Sequence, residues 1–229
     1  MTLESAVKRR QVRSLYHFTT TIGLRYILKH EAVLSRSRLL RLCEAEDDAP
    51  NWFADILELM DDDRLDRLID FVNTSISLPN TFLLKAYVER HQAPYLQWCI
   101  LEIDASELLR EGVLFSISNA ASDSAKRNGI VPGEAGFEAM FAPTVRNKYR
   151  VFDRRHRLPH QPTDIQAEAL IPNNVSASKI RGVLFESESG LNATVASFKQ
   201  LGQQFGDLRF DVNAEAFSTD LSVLQQALD

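Results

Sequence analysis

One carboxylate stands out by its setting. Glu168 lies in Ile165-Gln166-Ala167-Glu168-Ala169-Leu170-Ile171, an apolar run behind Asp164 and ahead of Pro172. In a strand, alternate side chains share a face. Ile165, Ala167 and Ala169 then face one way, and Gln166, Glu168 and Leu170 the other. A carboxylate beside a leucine on that face suits a semi-enclosed cleft over open solvent. A solvated strand face shows the same alternation, so the pattern alone leaves both readings open. His17 stands between Tyr16 and Phe18. An isolated histidine at such a strand end more often serves structure than catalysis. Arg64 follows Asp61-Asp62-Asp63 and precedes Leu65-Asp66-Arg67, which by itself reads as a solvated charge run. The three aspartates invite a divalent ion. Consecutive carboxylates on an irregular loop seldom converge on one, and there is no EF-hand spacing, so no metal is expected.

Familiar enzyme signatures are missing. The chain has no Gly-rich phosphate loop, no Walker motif, no G-x-S-x-G elbow and no H-E-x-x-H. Cys43 and Cys99 stand far apart in apolar surroundings. They read as reduced core thiols, with no disulfide framework and no zinc spacing. The net charge of −5 argues against coating DNA with the whole surface. Positive charge is nevertheless concentrated in Arg146, Lys148, Arg150, Arg154, Arg155, His156 and Arg157.

Elements must position these groups. Val12 to Phe18 reads as a strand, and Thr19 to Thr21 as N-cap candidates for a helix carrying Leu24, Ile27 and Leu28. Arg36 to Cys43 reads as an ill-defined basic connection, and Glu44 to Pro50 as an acidic loop. A helical stripe runs through Trp52, Phe53, Ile56, Leu57 and Met60. Phe71 to Leu78 reads as a strand. A helix opening at Pro79 would bury Phe82, Leu83, Ala86 and Tyr87. Leu96 to Ile103 is an apolar strand, Asp104 caps a short helix, and Val113 to Ile117 is another strand. Ser118 to Gly136 is loop-like, Glu134 to Phe141 weakly helical, and Arg146 to Arg157 has no clear pattern. Asp164 to Ile171 is a strand with Glu168 in its middle, and Ile180 to Phe185 another. Ser187 or Ser189 caps a helix through Phe205, and Leu208 to Val212 closes the series. Strands and helices are interspersed without βαβ repeats, which favours an α+β fold.

With 229 residues, 45% of them hydrophobic and 25% charged, the chain suits one globular domain over 1–229. The thirteen Phe read mostly as core. The N-terminus, Met1 to Arg13, is polar and basic without an apolar h-region, and no apolar run reaches membrane-span length. A cytoplasmic protein is expected.

Four segments, taken together and in order, resemble DarT, the DNA ADP-ribosyltransferase toxin family. The first is Ser14-Leu15-Tyr16-His17-Phe18-Thr19 with the helix behind it. The second is Arg64-Leu65-Asp66 with Val72, Ser75-Ile76-Ser77 and Pro79-Asn80. The third is Gly112-Val113-Leu114-Phe115 with Ser118-Asn119-Ala120-Ala121. The last is Gln166-Ala167-Glu168-Ala169-Leu170-Ile171-Pro172 with Val175 and Ile180. The resemblance spans roughly residues 14 to 186 and leaves a helix–strand extension over 187–229.

The resemblance implies an ADP-ribosyltransferase fold, a split and mostly antiparallel sheet with NAD in the cleft between its halves. It implies transfer of ADP-ribose from NAD to a nucleobase, thymine or guanine, in single-stranded DNA. It also implies a toxin whose mark a partner antitoxin removes. Glu168 and Arg64 would be catalytic. Tyr16, His17, Thr19 and Arg64 would bind NAD, Arg64 through bidentate phosphate contacts. Arg67, one helical turn away, is the alternative phosphate ligand; Asp66, two residues after Arg64, favours Arg64. The loop before the catalytic strand would meet the acceptor, with Arg146, Lys148, Arg150, Arg154, Arg155 and Arg157 tracking the phosphate backbone. Transfer to protein or RNA, and a catalytically silent NAD-fold binding module, are the competing functions.

Overall fold

The structure, a computed structural model, describes residues 2–45, 68–91, 96–122, 125, 129–146 and 150–228. The helix expected over 52–60, together with Arg64, Asp66, Arg67, Lys148 and Tyr149, lies outside the described residues.

Eight strands form one sheet. In spatial order they are β12 (Arg209–Val212), β11 (Ile180–Phe185), β4 (Trp98–Asp104), β1 (Ser14–Thr20), β3 (Phe71–Ile76), β9 (Glu168–Pro172), β5 (Leu114–Ser116) and β6 (Val131–Pro132). Every neighbouring pair is antiparallel except β11 with β12. Two short ribbons stand apart, β2 (Ala32–Leu34) with β10 (Asn174–Ser176) and β7 (Thr144–Arg146) with β8 (Val151–Asp153). The helices are α1 (Leu3–Arg10), α2 (Thr21–Lys29), α3 (Arg36–Ala45), α4 (Thr81–Arg90), α5 (Gly133–Ala139), α6 (Glu188–Gln200) and α7 (Leu221–Leu228). The fold is α+β.

Burial on both faces explains the sequence of the central strands. Cys99, Ile100 and Leu101 are all fully buried, although alternation sends Ile100 to the opposite face. One face carries the main core, where Leu15, Leu101 and Ala169 meet Leu24 of α2, Phe137 of α5 and Phe198 of α6. The other face packs Tyr16 and Ile100 against Leu84 of α4 and Leu184 of β11. On that side Leu224 of α7 packs with Leu78 and Ile165.

Local signals place the ends of these elements. Thr20 is the N-cap of α2 and accepts a hydrogen bond from Gly23 N at 3.0 Å. Ser187 caps α6 in the same way, through Gly190 N. Asp104 accepts from Ser106 N at 2.7 Å, and the short helix it opens is a 3-10 turn, Ala105–Leu109.

Several expectations need correction. The basic connection at Arg36 to Cys43 is α3: Arg and Leu are good helix formers, and Leu39 N closes the first turn on the Ser35 carbonyl at 3.0 Å. The unpatterned stretch from Arg146 to Arg157 contributes strands to the β7–β8 hairpin, Thr144↔Asp153 to Arg146↔Val151. On α4 the buried residues are Thr81 and Leu84, whereas Phe82 and Ala86 are exposed. The N-cap there is Asn80, whose Oδ1 accepts from Leu83 N, so the helix starts later than Pro79 suggests. Glu168 opens β9 rather than lying within it. The chain before it turns at Asp164, whose backbone carbonyl accepts from Ala167 N at 3.0 Å. α7 and the 3-10 turn Ala214–Phe217 extend beyond the last expected strand.

One irregularity of the sheet matters most. β1 pairs with β4 along all seven of its residues, Ser14↔Asp104 to Thr20↔Trp98. With β3 it pairs only at Leu15↔Ile76 and Tyr16↔Ser75. Past Tyr16 the two strands part, and the sheet is split at its middle.

Candidate active site

A cavity of about 350 Å³ occupies the split. His17, Thr19 and Thr20 of β1 line it, with Asn73, Thr74 and Ser75 of β3 opposite. Tyr26 and Ile27 of α2, its C-cap residue His30 and Leu39 of α3 wall it on another side. Asn80, Leu83, Tyr87, Trp98 and Glu168 wall it elsewhere. The cavity therefore draws its lining from both faces of the sheet. Phe18, Tyr87 and Trp98 form an edge-to-face cluster on its wall, with centroids 5.6–6.1 Å apart.

Strand register places the carboxylate. Tyr16 lies opposite Glu102 and Ser75, Ser75 opposite Glu168, and Glu168 opposite Ser116. Residues paired across a sheet share a face. Glu102, Tyr16, Ser75, Glu168 and Ser116 thus make one polar row across four strand pairings. Glu168 is only 4% exposed. Its Oε2 accepts from Ala120 N at 2.8 Å and from Asn73 Nδ2 at 3.2 Å. The Ala120 donor is aimed by the turn before it, in which Asn119 Oδ1 accepts from Ala121 N at 2.9 Å. Ser118 fastens this turn to Asp164, donating to its Oδ2 at 2.8 Å.

His17 meets the same neighbour from the other side. Its Nδ1 lies 2.9 Å from the Asn73 carbonyl oxygen. A carbonyl only accepts, so Nδ1 carries the proton, and in the neutral ring Nε2 is the acceptor nitrogen. Thr19 also faces the cleft, with its hydroxyl against α2. A Cβ built on Gly23 would stand 2.3 Å from Thr19 Oγ1, so any larger residue there must displace that hydroxyl. Tyr16 lines the cavity but packs against Leu84, Ile100 and Leu184 on the second face. Burial pushes its phenol pKa up, and the Glu102 carboxylate adds to the rise.

None of the described basic residues of the 146–157 stretch lines the cleft. Arg146, Arg150 and Arg155 are exposed, and Arg155 pairs with Asp153 at 2.8 Å. That pairing holds Asp153 at about 2, well below the usual carboxylate range. Arg154 turns inward. It donates to the carbonyls of Leu158, Pro159 and Gln161 and lies over the Phe141 ring. Arg157 is partly buried near Asp164; burial lowers its pKa, and the two acids Asp164 and Asp153 oppose that.

Asn73 and Ala120 are the site residues that sequence reasoning missed. Asn73 gave one signal, a poor β-former within a strand of good ones. Ala120 gave none of its own, because its contribution is a backbone N–H. Among the described residues no group of His, Cys, Asp and Glu is arranged to hold a metal ion. Nor is any described helix long and apolar enough to cross a membrane.

The chain matches the family model for DarT, the ssDNA thymidine ADP-ribosyltransferase, over residues 16–213. The chain belongs to the DarT family. Solved structures with the same fold include Thermosipho africanus DarTG in complex with ADP-ribose, at 16% identity and TM-score 0.53, covering 90% of this chain and 51% of that one. This chain therefore spans about half the length of that DarTG chain. Thermus sp. 2.9 DarT in complex with NAD+ aligns at 13% identity and TM-score 0.51, covering 90% and 97%. The same Thermus DarT with ADP-ribosylated ssDNA aligns at 14% and 0.50, covering 90% and 96%. Comparison with curated proteins gives no sequence match. The shared DarT fold puts the split sheet in context, since the cleft at its centre holds both His17 and Glu168.

Proposed function

We propose that this chain, acting as one ADP-ribosyltransferase domain in the cytoplasm, transfers ADP-ribose from NAD to a nucleobase of single-stranded DNA. Thymidine is the base named by the family description. The observation that carries the reading is Glu168, a buried carboxylate held by two donors in a cleft that His17 also lines. The NAD+ and ADP-ribosylated ssDNA complexes of Thermus DarT support the choice of donor and acceptor.

The chemistry suits these residues. The bond between nicotinamide nitrogen and the ribose anomeric carbon breaks, and its electron pair leaves with neutral nicotinamide. The ribose is left as a cation, which the Glu168 carboxylate stabilises. A base nitrogen then bonds to the anomeric carbon, and its proton passes to Glu168 or water. His17, through Nε2, accepts from a ribose hydroxyl of NAD, while Tyr16 and Thr19 frame the dinucleotide. Arg64, outside the described residues, is assigned the phosphates by resemblance. No metal is needed in this scheme.

We assign the acceptor strand to the 146–157 stretch. Its exposed Arg146, Arg150 and Arg155 meet phosphates together with Lys148, while Arg154 and Arg157 hold the loop in shape for the strand. The DarTG relative supports a toxin role, countered by an antitoxin that removes the mark.

The test uses labelled NAD with single-stranded oligonucleotides of defined base content, duplex DNA, RNA and cell protein in separate reactions. Label on thymidine-containing single strands, abolished by Glu168→Gln, is the expected result. Label on guanine would reassign the base, and label on protein or RNA alone would refute the reading. Neutralising Arg146, Arg150 and Arg155 together should flatten the salt dependence of oligonucleotide binding; an unchanged slope removes the loop from the interface.

A further inference from the structure

We infer that Asn73 is a positioning residue that sets the two halves of the site against each other, its main chain holding His17 and its side chain holding Glu168. The inference rests on the reading of Glu168 as the transfer carboxylate. Asn73 sits in β3 just where β1 has parted from it, two residues before the last shared pairing at Ser75. There its carbonyl accepts the His17 Nδ1–H at 2.9 Å. Its amide Nδ2 donates to Glu168 Oε2 at 3.2 Å. One residue thereby touches the histidine on one side of the split and the carboxylate on the other. Ala120 N donates to that same oxygen at 2.8 Å, so Oε2 is clamped by donors from β3 and from the 118–122 turn. Two donors on one oxygen fix the carboxylate's rotation. Asparagine is a poor strand former, and a Val or Thr would suit the β3 backbone better. Its presence is explained by the contact it makes.

The two contacts are separable, because one is main chain and the other side chain. Asn73→Ala keeps the carbonyl that holds His17 and removes only the donor to Glu168. With the full-length chain, NAD and a single-stranded oligonucleotide, KM for NAD should stay within about twofold and kcat should fall about ten- to a hundredfold. Asn73→Asp puts a second carboxylate beside the first, and like charges disfavour ionisation. The acid limb of its kcat–pH profile should move to higher pH. A merely structural asparagine would lower Tm in both variants and leave that limb in place, and this result would overturn the inference. Wild-type kcat and an unmoved limb in both variants, with Glu168→Gln inactive, would sink the inference and leave the site reading standing. A fully active Glu168→Gln would overturn both.

Discussion

Asp164 is fully buried, yet it carries a carboxyl that the proposed transfer chemistry does not use. It accepts from Ser118 Oγ at 2.8 Å and from Gln166 N at 3.0 Å, and so ties together the two loops that flank Glu168. Burial raises its pKa above the usual carboxylate range; the Gln166 and Ser118 bonds and the nearby Arg157 only partly offset this. The folded chain then keeps this proton at a pH where the unfolded chain has lost it. Stability from this group falls as pH rises from the unfolded pKa through the raised folded one, and the cost is complete above it. Asp164→Asn keeps an acceptor for the Gln166 N–H and removes the ionisation. The Tm difference between variant and parent should therefore shift in the variant's favour as pH is raised from about 4 to about 7. A difference that is flat with pH would show that Asp164 does not carry this cost. At this scale the sequence was legible where chemistry sits in a side chain with a pattern around it. Glu168 and His17 stand out by their places in the ordered blocks of the family resemblance, whereas the alternation around Glu168 leaves its reading open and residues 165–167 ahead of it are not strand. Asn73 and Ala120 do not stand out, because one acts through strand register over 95 positions and the other through a backbone N–H.

Elements show the same division. The cap at Thr20, the strand at β3 and the apolar run of β4 follow from local signals and were readable. α3 was not: its arginines suggest an unstructured basic segment, while its helical turn closes on Ser35 and its Leu39 faces the cleft. The buried face of α4 was also misjudged, because Phe82 is 44% exposed and Leu84 takes the core position. Hydrophobicity alone does not say which side of a helix meets the sheet. The join of β1 to α2 gives a prediction whose sign is diagnostic. Gly23 lies inside α2, where glycine costs about 0.5–1 kcal/mol relative to alanine. By propensity Gly23→Ala should stabilise. Its Cβ, however, would press on Thr19 Oγ1 at 2.3 Å and drive that hydroxyl from its place in the cleft. We expect KM for NAD to rise about tenfold while Tm changes little, measured by steady-state kinetics and thermal melting. A more stable variant with unchanged KM would mean that Thr19 does not frame the dinucleotide.

Over the whole molecule, the α+β class followed from interspersed strands and helices, and the split sheet followed from the family resemblance. The strand order did not, since it depends on which edges meet after long excursions of the chain. The place of the last 40 or so residues was equally hidden; β12 adds a parallel edge strand beside β11, and α7 covers Ile165 ahead of Glu168. The sheet consists of two leaves, β12-β11-β4-β1 and β3-β9-β5-β6. Between them the ladder runs through only Leu15↔Ile76 and Tyr16↔Ser75. His17 and Thr19 stand on one leaf, Asn73 and Glu168 on the other. Transfer activity in urea should therefore vanish at a lower concentration than the loss of far-UV circular dichroism. Coincident midpoints would show the leaves to part only with global unfolding. The seam expected to part first is also the seam that the proposed site straddles. A dinucleotide lying across it would act as a rivet, so the occupied protein should resist parting where the empty one is weakest, and its toughness should depend on cargo.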